Sequence, residues 1–432
     1  MNSKFSFLSL LLLVLTSVQI ARANEPAEVL ARKAISENTT ESSQAIEDLR
    51  ALGPAGLQVL MAQYAEEINR HVASQAVEDQ QWRRIANALD TVAQQKNSYL
   101  AGLYWHTDLE SAKKASVESG KPILSLRLLG KLTDELSCAN SRFFRTVLYS
   151  NAEVSSVLRE RFVLHWQSVR PVPTITIDFG NGRKLERTIT GNSIHYILDS
   201  SARPIEALPG LYGPQAFLRG LANAETLFKS LAGKTNQERD SLLANYFRER
   251  NNKIQVAWWA DTTKIGGKTP EGFVVTKSIT GEALSISPLA VTKAVTETTI
   301  LRAMTGASEA LGKITDEAAW RKIAQLHASD GVLDSRSIAL IKRQNQMLPE
   351  QDMSRLLEKF QESVALDTVR NEYMLHTKLY AWLSRDPVRS DVEKLNEKVY
   401  AELFLTPRSD PWLGLLSADV YTALDNGGIV KP

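Results

Sequence analysis

The stretch from Lys121 to Val154 constrains this chain more than any other. It opens on a run, Pro122 to Leu129, that is apolar except at Ser125 and Arg127. Such a run reads as a buried strand. It closes on Arg142 to Tyr149, rich in Phe, Leu, Val and Tyr, which reads as the first turns of a helix. Between the two stands Cys138, the single cysteine of the sequence. A buried strand that hands over to a helix needs a layer on each side of it, so the surrounding sequence has to supply those layers.

Upstream, residues 24–102 read as helices. Leu57, Leu60, Met61, Tyr64, Ile68 and Val72 share one face of a helix expected over 55–77. Trp82, Ile85, Leu89 and Val92 form the stripe of another over 82–95. Helices joined by short breaks such as Gly53-Pro54 pack as hairpins. Asp108 is a natural N-cap and Gly120 a natural stop for a helix just ahead of Pro122. Downstream, Arg161 to Trp166 is a strand. Thr174 to Phe179 and Lys184 to Ile189 alternate at period two around Gly180-Asn181-Gly182, which predicts a hairpin. Ser193 to Leu198 and Pro204 to Leu208 are two further strands. A helix from Gly213 runs to about Arg250 with a break near Gly233. The expected architecture is an α/β domain over 103–250, flanked by a helical region over 24–102 and a helical domain over 288–432. Residues 251–287, with Trp258-Trp259, Gly266-Gly267 and Pro270, read as a linker with little structure. Residues 406–432 read as an ordered loop laid over the surface.

Lys4, the apolar Phe5 to Leu15 and Ala21-Arg22-Ala23 form the three regions of a secretory signal peptide cut after Ala23. Export, to the periplasm or outside the cell, is therefore expected. No later run of about 18 apolar residues would anchor the rest in a membrane. An oxidising compartment leaves a lone cysteine two fates: a buried hydrophobe, or a thiol that pairs with another molecule. A formal net charge of +2 offers no electrostatic footprint for nucleic acid. The sequence has no His-Glu-x-x-His, Gly-x-Ser-x-Gly, P-loop or Gly-x-Gly-x-x-Gly motif, so no cofactor is expected. His165 and His195 fall on neighbouring predicted strands without a third ligand at useful spacing, so no metal site is expected either.

Ala112, Ala115 and Gly120-Lys121-Pro122 are followed by Cys138-Ala-Asn-Ser141, Ser150-Asn151-Ala-Glu-Val154, Arg161-Phe162-Val163 and Thr190 to Asp199. In this order and spacing, residues 103–225 resemble the thioredoxin-like superfamily, in particular its thioredoxin-7 type. The resemblance implies a thioredoxin-like α/β domain with Cys138 at the active-site helix start and Ser193 where the family carries its cis-proline. Three departures are chemical. Ser141 replaces the second cysteine, Ser137 stands at the usual tryptophan, and Gly130 to Leu136 lengthen the loop before the motif. In Cys-x-x-Cys the first thiolate attacks a disulfide and the second resolves the adduct. Ser141 cannot perform that second step.

Two functions lead, ahead of an enzyme of unrelated chemistry on the same fold. One is a non-catalytic protein-interaction role for a degenerate domain, with the helical flanks supplying surface or shielding the old active face. The other is a monothiol that captures protein partners as mixed disulfides, or accepts a small thiol. Cys138 and Ser141 are the candidate catalytic residues; Asn140, Arg142 and Ser193 are the candidate binding residues. A helix N-terminus would favour the thiolate of Cys138, and Arg142 lies one turn on. The simpler reading of Asn140, Ser141 and Arg142 is helix capping, ahead of a binding role.

Overall fold

The computed structural model describes residues 25–73, 79–189, 191–267, 311–312, 314–385, 390–413 and 429. The expected signal peptide, most of the expected linker and most of the tail lie outside them. The chain divides into two compact units, 1–104 and 105–432.

The first unit is helical: α1 (Ala27–Lys33), α2 (Thr39–Ala51), α3 (Pro54–Gln63), α4 (Ala65–Ala73) and α5 (Gln80–Ala93). Asn38 and Asp79 cap α2 and α5 by accepting backbone N–H bonds. Gly56 lets α3 press against α2, because a Cβ there would lie 1.9 Å from the Leu49 carbonyl oxygen. Leu49, Leu60, Ile85 and Leu89 meet in a core with no exposed surface. The helix expected over 55–77 is two helices. Tyr64 leaves helical angles between them, and its hydroxyl donates to the Ala31 carbonyl at 3.1 Å. A tertiary hydrogen bond thus interrupts a continuous apolar stripe.

The second unit is built on a five-stranded mixed sheet. Its strands are β1 (Trp105–His106), β2 (Ile123–Leu129), β3 (Val163–Arg170), β6 (Ser193–Leu198) and β7 (Pro204–Pro209), in the order β1-β3-β2-β6-β7. β1, β3 and β2 run parallel; β6 runs antiparallel to both of its neighbours, β2 and β7, so β7 points the same way as β2. Every residue of β2 is buried, as its near-continuous apolar run requires of a central strand. β4 (Thr174–Asp178) and β5 (Lys184–Thr188) form the expected hairpin as a separate two-stranded sheet.

Helices cover both faces of the sheet. α6 (Leu109–Ser119) is capped by Asp108 and ends at Gly120, whose φ of +68° suits a glycine. α7 (Ala139–Phe143) follows β2 and passes directly into a π turn, Phe144–Leu148. α8 (Ala152–Arg161) precedes β3, and α9 (Pro214–Ser230) follows β7. The break near Gly233 is real: Thr235 and Glu238 form a capping box that starts α10 (Asn236–Lys264).

α10 corrects the expected linker, since residues 251–264 are its second half. The Trp258 side chain is fully buried. It stacks on Tyr373 at 5.8 Å, and its indole N–H donates to Thr315 Oγ1 at 3.2 Å. This aromatic bulk gives the last turns of the helix a core.

Further helices are α11 (Glu317–Leu326), α12 (Ser335–Gln344), α13 (Glu350–Arg370), α14 (Thr377–Leu383) and α15 (Val392–Lys398). A π turn, Asn371–His376, joins α13 to α14, and another, Val399–Leu403, ends α15. These helices share the sheet's unit. Arg127 on β2 is wholly buried yet reaches Glu393 at 2.7 Å. Tyr196 donates to Asn396 at 3.4 Å, and Tyr400 donates to the Asn192 carbonyl at 3.1 Å. α15 and its π turn are therefore a layer on the sheet. Among the described residues no helix is long and apolar enough to cross a membrane.

Candidate functional site

The five residues singled out in the sequence do come together, but inside the protein. Cys138 caps α7, and its Sγ accepts the Ser141 backbone N–H at 3.4 Å. Its own N–H reaches back to the Leu129 carbonyl at 3.4 Å, pinning the helix start to the end of β2. Asn140 donates from Nδ2 to Ser193 Oγ at 2.8 Å. Cys138, Asn140, Ser141 and Ser193 have no exposed surface. Asn140 Oδ1 and Ser141 Oγ are buried without a hydrogen-bond partner among the described residues. Each such orphan costs about 1–3 kcal/mol.

Arg142 does not point its charge outward. Its guanidinium donates to the Ser137 carbonyl at 2.5 Å and to Thr188 Oγ1 at 2.6 Å. Thr188 is the last residue of β5, so Arg142 ties the hairpin to the lengthened loop. Burial lowers the Arg142 pKa from its usual value. Gly130 opens that loop at φ +75°, and its N–H donates to the Arg170 carbonyl at 2.8 Å. Arg170 in turn donates to the Thr406 carbonyl at 2.9 Å. Tyr400 is buried, and burial together with the neighbouring Cys138 raises its pKa well above the usual phenol. The loop, the hairpin and the C-terminal π turn thus close the cysteine on three sides. A thiol–disulfide exchange needs a sulfur that an incoming disulfide can approach. Here the sulfur offers no surface.

The two strand histidines face opposite sides. His165 pairs with Ser125 across β3 and β2, whereas His195 pairs with Leu126 across β6 and β2. Neighbouring strand residues point to opposite faces. His165 Nδ1 lies 2.8 Å from Ser125 Oγ, and His195 Nε2 lies 2.7 Å from the Tyr149 hydroxyl. Burial is the main cause that lowers both pKa values to about 3. Among the described residues no three His, Cys, Asp or Glu side chains are grouped to hold a metal.

A second polar cluster was missed in the sequence. It lines a cavity of about 320 Å3 between β7, α9, α10 and the 371–376 π turn. Glu206, on β7, accepts from the Tyr246 hydroxyl at 2.6 Å, from the Tyr380 hydroxyl at 2.9 Å and from the Ala207 N–H at 2.8 Å. His376 Nδ1 lies 2.9 Å from Glu372 Oε2, and its Nε2 lies 3.5 Å from Glu206 Oε1. Burial opposes a charge on His376, but Glu372 and Glu206 together raise its pKa to about 9. The imidazole is therefore an imidazolium at neutral pH, clamped between two carboxylates. Both Glu372 and His376 sit on the π turn, a local widening of the helix that recurs at functional sites. The sequence held a partial signal. Glu372, His376 and Tyr380 follow at four-residue steps on one helix face, and Glu206 stands charged inside an apolar strand.

No protein-family model, curated protein or solved structure matches this chain.

Proposed function

We propose that this is an exported binding protein built on a degenerate thioredoxin-like domain, working through noncovalent contact with a protein partner rather than disulfide exchange. The single observation that carries the reading is the closed cysteine: Cys138 Sγ is buried at the cap of α7, with no exposed surface. The strand order β1-β3-β2-β6-β7, its strand directions, and a helix capped by cysteine directly after the central strand support the thioredoxin-like assignment.

The partner surface is the β4–β5 hairpin. Ile177 lies directly across from Leu185, and Phe179 follows on the same face. These three are 39%, 36% and 55% exposed. β4 and β5 pair only with each other among the described strands, so both outer edges offer backbone groups to an added strand. Arg142 holds the base of this hairpin against the old active-site loop. A residue set that once served catalysis would then position a binding element.

The test is iodoacetamide labelling of the native protein, with Cys138→Ala as blank. Labelling that proceeds no faster than global unfolding supports the reading. Rapid labelling of the folded protein replaces it with the monothiol alternative, in which Cys138 captures partners as mixed disulfides. In cells lacking the protein, Cys138→Ala should restore function and Ile177→Asp with Leu185→Asp should not.

A further inference from the structure

The two edges of the β4–β5 hairpin differ in charge. β5 carries Lys184, Glu186 and Arg187, the kind of residues that keep an edge strand from pairing. β4 reads Thr-Ile-Thr-Ile-Asp, β-branched at every position but the last, without lysine, proline or a bulge. Its one charge, Asp178, is taken up by Lys184 at 3.3 Å. Thr174, Thr176, Asp178, Lys184 and Glu186 are exposed on one face, and Ile177, Phe179 and Leu185 on the other. A two-stranded ribbon bare on both faces is marginal in water and gains from further strands.

The direction of its backbone groups is fixed. The Phe179 N–H donates to the Arg183 carbonyl at 3.1 Å, and the Ile189 N–H to the Pro173 carbonyl at 3.1 Å. Facing pairs in an antiparallel ladder alternate between bonded and unbonded. In the observed register, from Thr174 opposite Thr188 to Asp178 opposite Lys184, Ile175 and Ile177 therefore bond to β5. Thr174, Thr176 and Asp178 turn their N–H and C=O groups outward.

We propose, on the reading of the hairpin as the partner surface, that the unguarded edge of β4 pairs with β4 of a second copy of this chain. The strands run antiparallel about a twofold axis at Thr176 and join the two hairpins into one continuous sheet. Thr176 then faces its own copy and Thr174 faces the partner's Asp178, so every outward group of the strand is bonded and no like charges meet. Ile175 stands against the partner's Ile177, which joins the two apolar stripes edge to edge. β5 has no such register. A twofold axis at Lys184, Glu186 or Arg187 sets that residue against its own copy, and one at Leu185 sets Arg183 against the partner's Arg187. Like charges directly opposite destabilise a strand pair. Pairing of β4 with itself closes at two chains. The interface is small, so the dimer dissociates on dilution.

Sedimentation equilibrium on the full chain, with hydrogen exchange read at low and high concentration, tests this. The mass should move from one chain to two as concentration rises. In the dimer the amides of Thr174, Thr176 and Asp178 should slow at least about tenfold, while those of Lys184 and Glu186 keep their rates. Thr176→Pro removes only an outward N–H and should abolish the dimer; Glu186→Pro, the same change on the other edge, should not. Should a proline disturb the hairpin, Thr176→Lys decides: it sets two ammonium groups face to face and should weaken the dimer about fivefold, with affinity regained in high salt. A monomer at every concentration overturns the proposal. So does a dimer indifferent to Thr176→Pro and Thr176→Lys, or assembly that runs past two chains. A monomer whose Cys138 still resists iodoacetamide overturns the dimer alone; rapid labelling overturns the noncovalent binding reading whatever the mass.

Discussion

The Cys138 pocket and the Glu206–His376 cavity lie in one unit and are made of similar parts. Each sits where a helix meets the sheet, each adjoins a π turn, and each holds buried polar atoms without partners. They differ in access and charge. The cysteine site is shut by the 130–137 loop, the hairpin and the C-terminal π turn. The cavity is ionised, mixed in polarity and lined in part by the exposed Ala257. Chemistry suggested by residue type is thus held in the closed site, while the cavity is made of residues whose types are individually ordinary. A reactive residue acts only where a second molecule can reach it.

The largest effect should come from cutting the seal. Glu393→Ala leaves Arg127 buried with only Gln167 as side-chain hydrogen-bond partner, and because Glu393 is itself half exposed the expected loss is about 3 kcal/mol, measurable by urea unfolding. It should also open the sheet face near Cys138, so labelling of the native thiol should accelerate. If stability falls and the thiol stays protected, the closure belongs to the loop and hairpin alone.

Next is the imidazolium. His376→Ala strands Glu206 and Glu372 and should cost about 3 kcal/mol. The pH dependence has a definite sign. His376 titrates at about 9 in the folded protein, against about 6.5 unfolded. Its stabilisation is full below 6.5 and is lost as pH rises to about 9. His165 and His195, lowered to about 3, act oppositely: their stabilisation is full above 6.5 and is lost as pH falls. Stability should therefore peak near neutrality. His376→Gln should flatten the alkaline limb and leave the acid limb, as followed by thermal unfolding across pH. An unchanged alkaline limb would mean that His376 is not the charged centre of the cavity.

Smaller again is Arg142→Ala. Two hydrogen bonds to Ser137 and Thr188 are lost at about 1–2 kcal/mol, and amide exchange should rise in β4 and β5 before it rises elsewhere. Smallest is Cys138→Ala. It removes one sulfur atom and one weak acceptor, so a change of about 1 kcal/mol or less is expected by denaturant titration. A greater loss than at His376 would invert the comparison.

Much of the fold was legible because local signals govern it. The period-two alternation of 174–179 and 184–189, the Asp108 cap, the Gly120 stop and the Gly233 break all act within a few residues. The five site residues also met where their spacing placed them. What could not be read depended on distant neighbours. α10 continues past Arg250 because Trp258 finds Tyr373 and Thr315. Tyr64 breaks its helix to reach Ala31. The cavity joins Glu206 to His376 across 170 positions of sequence, and no periodicity connects the two. The closing of Cys138 likewise depends on Tyr400 and Thr406, which carry no mark of that role.

The bond from Arg127 to Glu393 spans 266 positions. While the chain emerges from its N-terminal end, the strand at the centre of the sheet has no cover for its buried charge until nearly all of the chain is present. The N-terminal helices close on local contacts and can form early; the sheet has to wait. Loop closure over such a separation is slow. In that interval Arg127 and the sulfur of Cys138 are both open to solvent. The cysteine that is buried in the finished protein is thus most accessible during synthesis.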